Sequence, residues 1–235
     1  MSKKPHVCIL IPAFNEGAVI ANVIKNTRRV FDASSYIYTI VVINDGSTDV
    51  TSAEARKAGA AVIDHILNSG AGGATSTGIR YAQKQSFAAA ATMDADGQHA
   101  AEDVVRGFDI LFKKKLDFLI GSRLIDSRGM SKTKVIGNWG LSLLTRLLFG
   151  VKSTDSQSGL RVFSLYAIQS LRWQSTGYEF CSEMLWRGSQ LKLKMGEYPV
   201  KAIYTDYSIS KGQNNWNAVN IVKNLLRRRI SEIFG

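Results

Sequence analysis

Met93-Asp94-Ala95-Asp96-Gly97-Gln98-His99 places two carboxylates and an amide directly after an apolar run, Phe87 to Met93. The run predicts a short buried strand that breaks into a glycine-containing turn. Because side chains alternate faces along an extended segment, we expect Asp94, Asp96 and Gln98 to project from one side where the strand ends. Oxygens grouped in this way suit Mg²⁺ or Mn²⁺, which would take further oxygens from water or a bound diphosphate. The alternative is that the two aspartates only cap the next helix.

Similar apolar runs alternate with helical patterns through the first half of the chain. Besides the run that ends at Met93, strands are predicted at His6 to Pro12, Tyr38 to Ile43 and Ala61 to Ile66. Helices are predicted at about 18–31, at a stretch ending near 57, from the end of the glycine run at 70–73 to about 85, and at 101–114. This order predicts an α/β fold, a doubly wound and mainly parallel sheet with helices on both faces.

Acidic residues come directly after several of these strands, namely Glu16, Asp45, Asp94 and Asp96. Ligands of doubly wound sheets bind beyond the carboxyl ends of the strands, so we expect one crevice to collect these carboxylates. The first strand leads into a loop that carries Glu16 instead of a glycine-rich fingerprint, which disfavours a nicotinamide dehydrogenase. The sequence contains no Walker A motif, which removes P-loop nucleotide hydrolysis.

The composition fits one large domain with an anionic partner. With 235 residues and 45% hydrophobic content, we expect a catalytic domain at 1–214 and a C-terminal appendage at 215–235. The net charge of +11 favours nucleic acid, an anionic membrane surface or phosphorylated substrates. Zinc-finger and RNA-binding signatures are absent from the sequence, so we expect no nucleic acid partner.

Five motifs occur in order along the chain: Ile11-Pro12-Ala13-Phe14-Asn15-Glu16, Asn44-Asp45-Gly46-Ser47-Thr48-Asp49, Met93 to His99, Gly121-Ser122-Arg123 and Ser158-Gly159-Leu160-Arg161. In this order and spacing the chain resembles family 2 glycosyltransferases, in particular the dolichol-phosphate mannose synthase branch, from about Val7 to about Lys211. Leu160 departs from the family, which usually has an aromatic residue there. The resemblance implies a GT-A fold and an inverting transfer of a sugar from a nucleotide-sugar donor, UDP- or GDP-linked, to a polyprenyl phosphate.

The resemblance also assigns residues to the donor. Pro12, Ala13 and Glu16 would border the nucleoside, and Asp45 would contact its base or ribose. The metal ligands, for Mg²⁺ or Mn²⁺, would be Asp94, Asp96 and Gln98. For the motif that contains Asp45, an ordinary turn in which Ser47 or Thr48 caps the next helix is the alternative.

The acceptor decides which further residues the reaction needs. A monoalkyl phosphate has a second pKa near roughly 6, so it needs positioning by cations more than deprotonation. The candidate cations are Arg123, Lys134, Arg161 and Lys211, of which Arg123 and Lys134 match the family's acceptor-phosphate cations. A sugar hydroxyl would instead need a carboxylate base, for which Glu183 and Asp155 are available. The second hypothesis is therefore a transferase that extends a surface polysaccharide, and a third, from another class, is a non-catalytic nucleotide-sugar-binding protein at a membrane.

Two helices in the second half have unusual hydrophobic patterns. A mobile loop is predicted at 125–134, and the helix after it, Val135 to Phe149, is apolar around most of its circumference. Its narrow polar stripe consists of Asn138, Ser142 and Thr145. Two interpretations of this helix stay open: a core helix, or a helix whose surface contacts an isoprenoid chain or a bilayer.

The C-terminal stretch, Trp216 to Phe234, is predicted as an interfacial amphipathic helix. Its apolar face would contain Trp216, Val219, Val222, Leu226, Ile230, Ile233 and Phe234, next to the cations Lys223, Arg227 and Arg229. The alternative is packing onto the catalytic domain or onto a second copy in a homo-oligomer.

The expected location is the cytoplasmic face of an anionic membrane. No apolar run is long enough to span a bilayer, and the first strand is not preceded by a secretory signal. Cys8 and Cys181 lie in unrelated contexts and are expected to be buried thiols. The prediction is a peripheral protein on the inner face.

Overall fold

The computed structural model describes residues 4–205, 207 and 215–234, with side chains in the last segment described from 220 to 230. Within these residues a seven-stranded sheet is flanked by helices. The elements in chain order are β1 (His6–Ala13), α1 (Ile20–Asp32), β2 (Ile37–Asn44), α2 (Thr51–Lys57), β3 (Ala61–Asp64), α3 (Gly70–Lys84), β4 (Ala89–Thr92), α4 (Ala101–Lys114), β5 (Phe118–Ser122), α5 (Lys132–Phe149), β6 (Arg161–Ser164), α6 (Leu165–Ser170), α7 (Phe180–Gln190), β7 (Met195–Pro199) and α8 (Asn215–Phe234).

The sheet has the order β3-β2-β1-β4-β6-β5-β7 and confirms the predicted fold class. All neighbouring strands are parallel except β6, which runs antiparallel to both β4 and β5. In β1, Cys8 and Leu10 belong to one core cluster, and Val7 and Ile9 belong to the other. The apolar run of β1 is continuous because both faces of the strand pack against a hydrophobic core.

Because β6 runs opposite to its neighbours, it begins at the edge of the sheet where those strands end. Arg161, the first residue of β6, pairs with Thr92 at the end of β4 and with Ile120 near the end of β5. The segment that leads into β6 therefore arrives at the carboxyl edge of the sheet. The first-half pattern could not predict this strand because it is short and follows an irregular segment.

The glycine run at 70–73 begins helix α3, so the prediction that the helix starts after this run is wrong. Gly72 donates its N–H to the carbonyl of Thr176 at 2.7 Å, and a Cβ on Gly72 would overlap the carbonyl oxygen of Ser175. The glycines let the first turn of α3 pack directly on the backbone at 175–176. The segment is rich in glycine because two backbones pack closely there, and not because it forms a loop.

Helix α5 begins at Lys132, three residues before the predicted start at Val135, and so shortens the predicted loop. The Oγ atom of Ser131 accepts a hydrogen bond from the N–H of Lys134 at 3.4 Å and marks the start of the helix. Its polar stripe faces the protein, since Ser142 and Thr145 are buried. Leu141, Leu144 and Leu148 on the inner side pack against the core cluster that contains Phe149, so α5 is a core helix on this side, whereas most of its other apolar side chains are exposed.

Helix α8 packs against α5 with a face that the sequence pattern did not single out. Ile221 and Leu225 are buried in the core cluster that also contains Phe149. Of the predicted apolar face, Leu226 and Ile230 are exposed, whereas the side chains of Trp216, Val219, Ile233 and Phe234 lie outside the described ones. The division at residue 214 stays a prediction. Searched over the described residues, no helix combines the length and the apolar character that a membrane span requires.

Candidate active site

The loops that follow β1 and β2 are joined by hydrogen bonds from backbone groups to side chains. The N–H of Asn15 donates to Ser47 Oγ at 2.9 Å, and the N–H of Thr48 donates to Asn15 Oδ1 at 2.9 Å. The N–H of Glu16 donates to Thr51 Oγ1 at 2.8 Å. Neither Ser47 nor Thr48 caps α2, so the capping alternative for this motif is wrong. The two motifs instead form one structural unit that includes Pro12 and Ala13 at the end of β1.

Asp45 is held by residues that follow β3. Its Oδ1 atom accepts hydrogen bonds from Ser69 N–H at 2.9 Å and from Ser69 Oγ at 2.7 Å, and His65 Nδ1 lies 2.7 Å from the same oxygen. The Nε2 atom of His65 lies 3.0 Å from Thr77 Oγ1. The sequence analysis missed His65, which lies inside the strand predicted at 61–66, and Ser69, which lies three residues beyond it. Their contacts fix the orientation of the Asp45 carboxylate.

The Asp94 to His99 turn is built by its own side chains. Asp96 Oδ1 accepts the N–H of Gln98 at 2.9 Å, and His99 Nδ1 accepts the N–H of Asp94 at 3.1 Å. Burial lowers the pKa of His99, so the imidazole is neutral and can serve as this acceptor. Helix α4 begins at Ala101 and has no side-chain hydrogen bond at its N-terminal cap. The alternative in which the aspartates cap the helix is therefore wrong.

Three carboxylates from two strand ends share one electrostatic environment. Burial, followed by the negative charges of Asp94 and Glu16, raises the pKa of Asp96 to about 6. Burial also raises the pKa of Tyr178, and so do negative charges that include those of Asp94, Asp96 and Glu16. Of the four carboxylates predicted to share one crevice, these interactions bring together Glu16, Asp94 and Asp96, whereas the convergence of Asp45 stays a prediction. Tyr178, which the sequence analysis did not identify, lies close to them.

The carboxylates fit a divalent cation as an open half-shell. Over the described part of the chain, no three His, Cys, Asp or Glu side chains are grouped so as to hold a metal ion by themselves. Asp94 and Asp96 offer hard oxygens, and their mutual repulsion is the kind that a cation relieves. An incomplete protein shell leaves ligand positions for water and a diphosphate, as Mg²⁺ sites commonly do.

The segment before β6 packs directly on Asp94. A Cβ built on Gly159 would overlap both carboxylate oxygens of Asp94, and the Gly159 carbonyl accepts a hydrogen bond from Thr92 Oγ1 at 2.7 Å. The segment before β6 therefore lies against the turn that carries Asp94. Because Gly159 has no side chain, the Asp94 carboxylate can take this position, and a larger residue at 159 would force it to move.

Arg123 and Asp155 form a bidentate ion pair. Arg123 Nε donates to Asp155 Oδ2 at 2.7 Å, Nη2 donates to Oδ1 at 2.9 Å, and the backbone N–H donates to Oδ2 at 3.1 Å. Burial alone would raise the pKa of Asp155, but the charge and hydrogen bonds of Arg123 outweigh it and lower the pKa. A fully buried carboxylate engaged in this way cannot act as a base. This removes Asp155 from the candidate bases and assigns it to the positioning of Arg123.

Tyr204 connects two of the predicted acceptor cations. Lys134 Nζ lies 4.1 Å from the centre of the Tyr204 ring. Burial raises the pKa of Tyr204, and the charge of Arg123 opposes that shift, so Arg123 is also close. The same segment donates Ile203 N–H to the Gln98 carbonyl at 3.1 Å. Arg123 and Lys134 are therefore brought together beside the turn that carries the aspartates.

The segment after β7 also reaches the loop after β1. Tyr207 Oη donates to Glu16 Oε2 at 2.8 Å. Glu16 itself is nearly buried. Lys211, the fourth predicted acceptor cation, lies outside the described residues.

Arg161 does not face the crevice, which corrects its assignment to the acceptor. It is 1% exposed. Its guanidinium donates to the carbonyls of Ser156 at 2.7 Å, Cys181 at 2.9 Å and Ser158 at 3.0 Å. These bonds use Nη2, Nη1 and Nε of the side chain, so Arg161 holds the segment before β6 in place.

Glu183 is also corrected, because it is buried and engaged. Its carboxylate accepts the N–H groups of Gln174 at 3.2 Å and Ser175 at 2.8 Å. Arg228 Nη2 lies 3.0 Å from Glu183 Oε1 and connects helix α8 to helix α7. A carboxylate with these partners is a structural anchor and is removed from the candidate bases.

These features define the class of the protein. The family model described as glycosyl transferase family 2 matches residues 8–172, more than half of the chain. The chain belongs to this family, and it is a glycosyltransferase that uses a nucleotide-sugar donor. The family and the enzyme class predicted from the five motifs are confirmed.

Particular relatives extend over nearly the whole chain. An uncharacterized protein of Methanocaldococcus jannaschii is 40% identical over 232 residues, 97% of this chain and 93% of its own. The UDP-N-acetylglucosamine–dolichyl-phosphate N-acetylglucosaminyltransferase of Methanococcus voltae is 35% identical over 249 residues and covers 97% of each chain. The undecaprenyl-phosphate mannosyltransferase of Micrococcus luteus is 28% identical over 87% of this chain and 86% of its own.

Solved structures confirm the GT-A fold. Glucosyl-3-phosphoglycerate synthase from Mycobacterium tuberculosis, in complex with Mn²⁺, UDP and phosphoglyceric acid, superposes with a TM-score of 0.72 at 20% identity, over 96% of this chain and 78% of that chain. Mannosyl-3-phosphoglycerate synthase from Rubrobacter xylanophilus gives a TM-score of 0.69 at 14% identity, over 97% and 73% of the two chains. At such identities the likeness concerns the fold alone.

Proposed function

We propose that this glycosyltransferase moves a sugar from a UDP- or GDP-linked donor to a polyprenyl phosphate at the cytoplasmic face of a membrane, with inversion at the anomeric carbon. The observation that carries the proposal is Arg123, which its buried ion pair with Asp155 holds next to the carboxylate-lined turn. The relatives support the acceptor class, because two of them are named as dolichyl-phosphate and undecaprenyl-phosphate sugar transferases.

On the donor side, the unit formed by the loops after β1 and β2 would bind the nucleoside. Pro12, Ala13 and Glu16 would border it. Asp45 uses Oδ1 for Ser69 and His65, and Oδ2 makes no hydrogen bond to the described residues. That oxygen is the natural acceptor for an N–H of a base or a hydroxyl of the ribose.

Asp94, Asp96 and Gln98 would hold Mg²⁺ or Mn²⁺, which when bound neutralises charge on the departing nucleoside diphosphate. A related fold has been crystallised with Mn²⁺ and UDP, which supports a divalent metal here. His99 would position Asp94 through the hydrogen bond to its backbone N–H. Gly159 would keep the Asp94 carboxylate free of steric contact.

On the acceptor side, Arg123 would bind the polyprenyl phosphate. Its Nε and Nη2 atoms are bound to Asp155, and Nη1 makes no hydrogen bond to the described residues. Lys134 would supply a second charge to the same phosphate. Because Asp155 fixes the plane of the guanidinium, little conformational entropy is lost when the phosphate binds.

The reaction needs no base for this acceptor. A phosphate oxygen forms a bond to the anomeric carbon as the bond from that carbon to the diphosphate breaks, and the nucleoside diphosphate leaves. Both carboxylates that the sequence offered as bases, Asp155 and Glu183, are buried and bound by arginines. Their engagement favours a phosphate acceptor over the saccharide hydroxyl of the second hypothesis.

The test is a panel of UDP- and GDP-sugars incubated with polyprenyl phosphate and Mn²⁺, with transfer of label into the organic phase as the readout. We expect transfer from one donor, and loss of it in EDTA. A saccharide acceptor that is glycosylated while polyprenyl phosphate is not would overturn the proposed acceptor. Donor binding without transfer to either acceptor would support the non-catalytic hypothesis.

A further inference from the structure

Helix α5 presents an apolar surface to solvent. Ile136 is 68% exposed, Trp139 59%, Leu143 37% and Leu147 74%. At spacings of three and four residues, these side chains lie on one side of the helix, which we name the outer face of α5. Exposed apolar residues that occur singly are normal, but a contiguous stripe that contains a tryptophan indicates a surface that meets something.

The orientation of α5 is fixed by polar contacts on its opposite side. Ser142 Oγ accepts the N–H of Ser156 at 2.9 Å, and Thr145 Oγ1 lies 2.8 Å from Ser182 Oγ. Turning the apolar face inward would break these buried hydrogen bonds and expose the core residue Phe149. The exposure of the outer face is therefore fixed by the contacts that α5 makes with the rest of the protein. Gly137 and Gly140 adjoin open space, since a Cβ on either would meet nothing within 4 Å.

The charges around the outer face are positive. Helix α5 carries Lys132 and Arg146 near this face, both exposed, and contains no acidic residue. Helix α8, which packs against α5, carries the exposed cations Lys223 and Arg227 on the side away from its buried Ile221 and Leu225. A stripe of apolar side chains bordered by cations of one sign is the composition of helices that lie in an anionic membrane interface.

We propose that the outer face of α5 docks on an anionic bilayer, with its apolar side chains in the boundary between headgroups and acyl chains. The charge pattern selects this partner over a second copy of the chain. Two copies joined through this face would bring Lys132 and Arg146 of each toward like charges, whereas anionic headgroups neutralise them. The cations extend their apolar stems along the membrane surface and keep their charges at the phosphates.

The docked helix adjoins the acceptor side of the site. The segment 124–131 leads directly from Arg123 into α5, and Ser142 holds Ser156, the neighbour of the Asp155 that pairs with Arg123. Docking would thus bring Arg123 to the surface that carries a lipid phosphate. This last step rests on the proposed polyprenyl phosphate acceptor, whereas the docking surface itself does not.

The test is flotation of the full chain with vesicles of phosphatidylglycerol and phosphatidylcholine, compared with vesicles of phosphatidylcholine alone. The variant is Trp139→Glu with Leu143→Glu, and the control is Ile37→Glu with Leu191→Glu, which alters the net charge equally at apolar side chains of similar exposure. We expect the wild type and the control to float with anionic vesicles, and the vesicle partition of the variant to fall by about tenfold or more. Nucleotide binding by calorimetry should be equal in all three proteins, which shows that they are folded.

Three outcomes would overturn the docking surface. The variant could float as well as the wild type, or the wild type could ignore anionic vesicles at low salt. The wild type could also be a dimer that the variant dissociates, which would make the outer face an interface between copies.

Sugar transfer separates this inference from the proposed function. On a short-chain, water-soluble polyprenyl phosphate the variant should turn over as the wild type does, and only transfer to acceptor embedded in vesicles should fall. A wild type that floats without transferring sugar would leave the docking surface standing and remove the proposed acceptor. A wild type that transfers sugar without floating would leave the proposed acceptor standing and remove the docking surface.

Discussion

Residues 6–100 contain the proposed donor residues and residues 115–205 the proposed acceptor cations, and these two parts, which we name the donor half and the acceptor half, hold their site residues in different ways. In the donor half, side chains such as Ser47 and Thr51 bind the backbone of the neighbouring loop, so the loop shape itself is fixed. In the acceptor half, one buried ion pair between Arg123 and Asp155 orients the cation. The comparison indicates that several hydrogen bonds together fix the loops of the donor half, whereas one ion pair orients the cation of the acceptor half.

The largest effect is expected at the turn of the donor half. Asp96→Asn preserves the shape but removes a charge, and turnover should fall about a hundredfold or more, the size of losing one strong transition-state contact. Steady-state rates against Mn²⁺ concentration provide the measurement. Asp32→Asn is the control, since among the described residues this carboxylate accepts a hydrogen bond from Tyr38 alone. Normal turnover of the Asp96 variant would contradict the assignment of Asp96 as a metal ligand.

The acceptor half is tested with Arg123→Ala. Transfer to polyprenyl phosphate should fall by roughly a hundredfold, and the affinity for the nucleoside diphosphate should not change. Arg123→Lys should also be impaired, because an ammonium cannot bind Asp155 and phosphate in the same planar geometry.

Arg128→Ala is the control for this variant, because Arg128 lies in the following loop and pairs with the neighbouring Asp126. Calorimetry gives donor affinity, and a thermal melt reports the cost of leaving Asp155 buried without its cation. If donor affinity fell together with the rate, Arg123 would belong to the donor half and the two halves would not be separable.

Gly159→Ala tests the contact between the two halves, where Gly159 packs on Asp94. The new Cβ would push the Asp94 carboxylate aside, and we expect the affinity for Mn²⁺ to weaken by about tenfold, as for loss of a residue that supports a ligand. Gly137→Ala is the matched control, because its Cβ would enter open space. Titration with Mn²⁺ in the presence of nucleoside diphosphate measures the difference. Equal affinities in the two variants would mean that Asp94 has room to adjust.

The smallest effect on rate is expected for Glu183→Gln. The side chain supports the backbone at 174–175 and anchors Arg228, so kcat should hardly change, while the free energy of unfolding should fall by about 2 kcal/mol. Urea unfolding followed by circular dichroism measures the loss. A base would behave in the opposite way, and a drop in kcat with normal stability would restore Glu183 to the catalytic residues of a hydroxyl-accepting enzyme.

The donor half could be predicted from the sequence because its signals are local. An apolar run followed at once by Asp45 or by Asp94 defines both the strand and the position of the carboxylate at its end. The parallel order of these strands then follows from the alternation with helices. His65 and Ser69 were missed because a hydrogen bond to Asp45 leaves no pattern in the segment that donates it.

The acceptor half could not be predicted in the same way, because its partners come from distant segments. Arg161 looks like any surface arginine in the sequence, yet carbonyls from 156, 158 and 181 surround it. Glu183 meets Arg228 from a helix that begins only after residue 214. Hydrophobic periodicity identified α5 as a helix, but it could not tell which face is inward, because a buried polar stripe requires knowledge of Ser156 and Ser182.

The reversed strand β6 changes where to search such a chain for functional residues. In a parallel sheet the residues after each strand reach the ligand edge, and a search by motif naturally looks downstream of apolar runs. A strand inserted in the opposite direction delivers the residues before it, as Asp155 and Gly159 before Arg161 illustrate. Because of one antiparallel strand, residues that precede a strand as well as residues that follow one can line the same crevice.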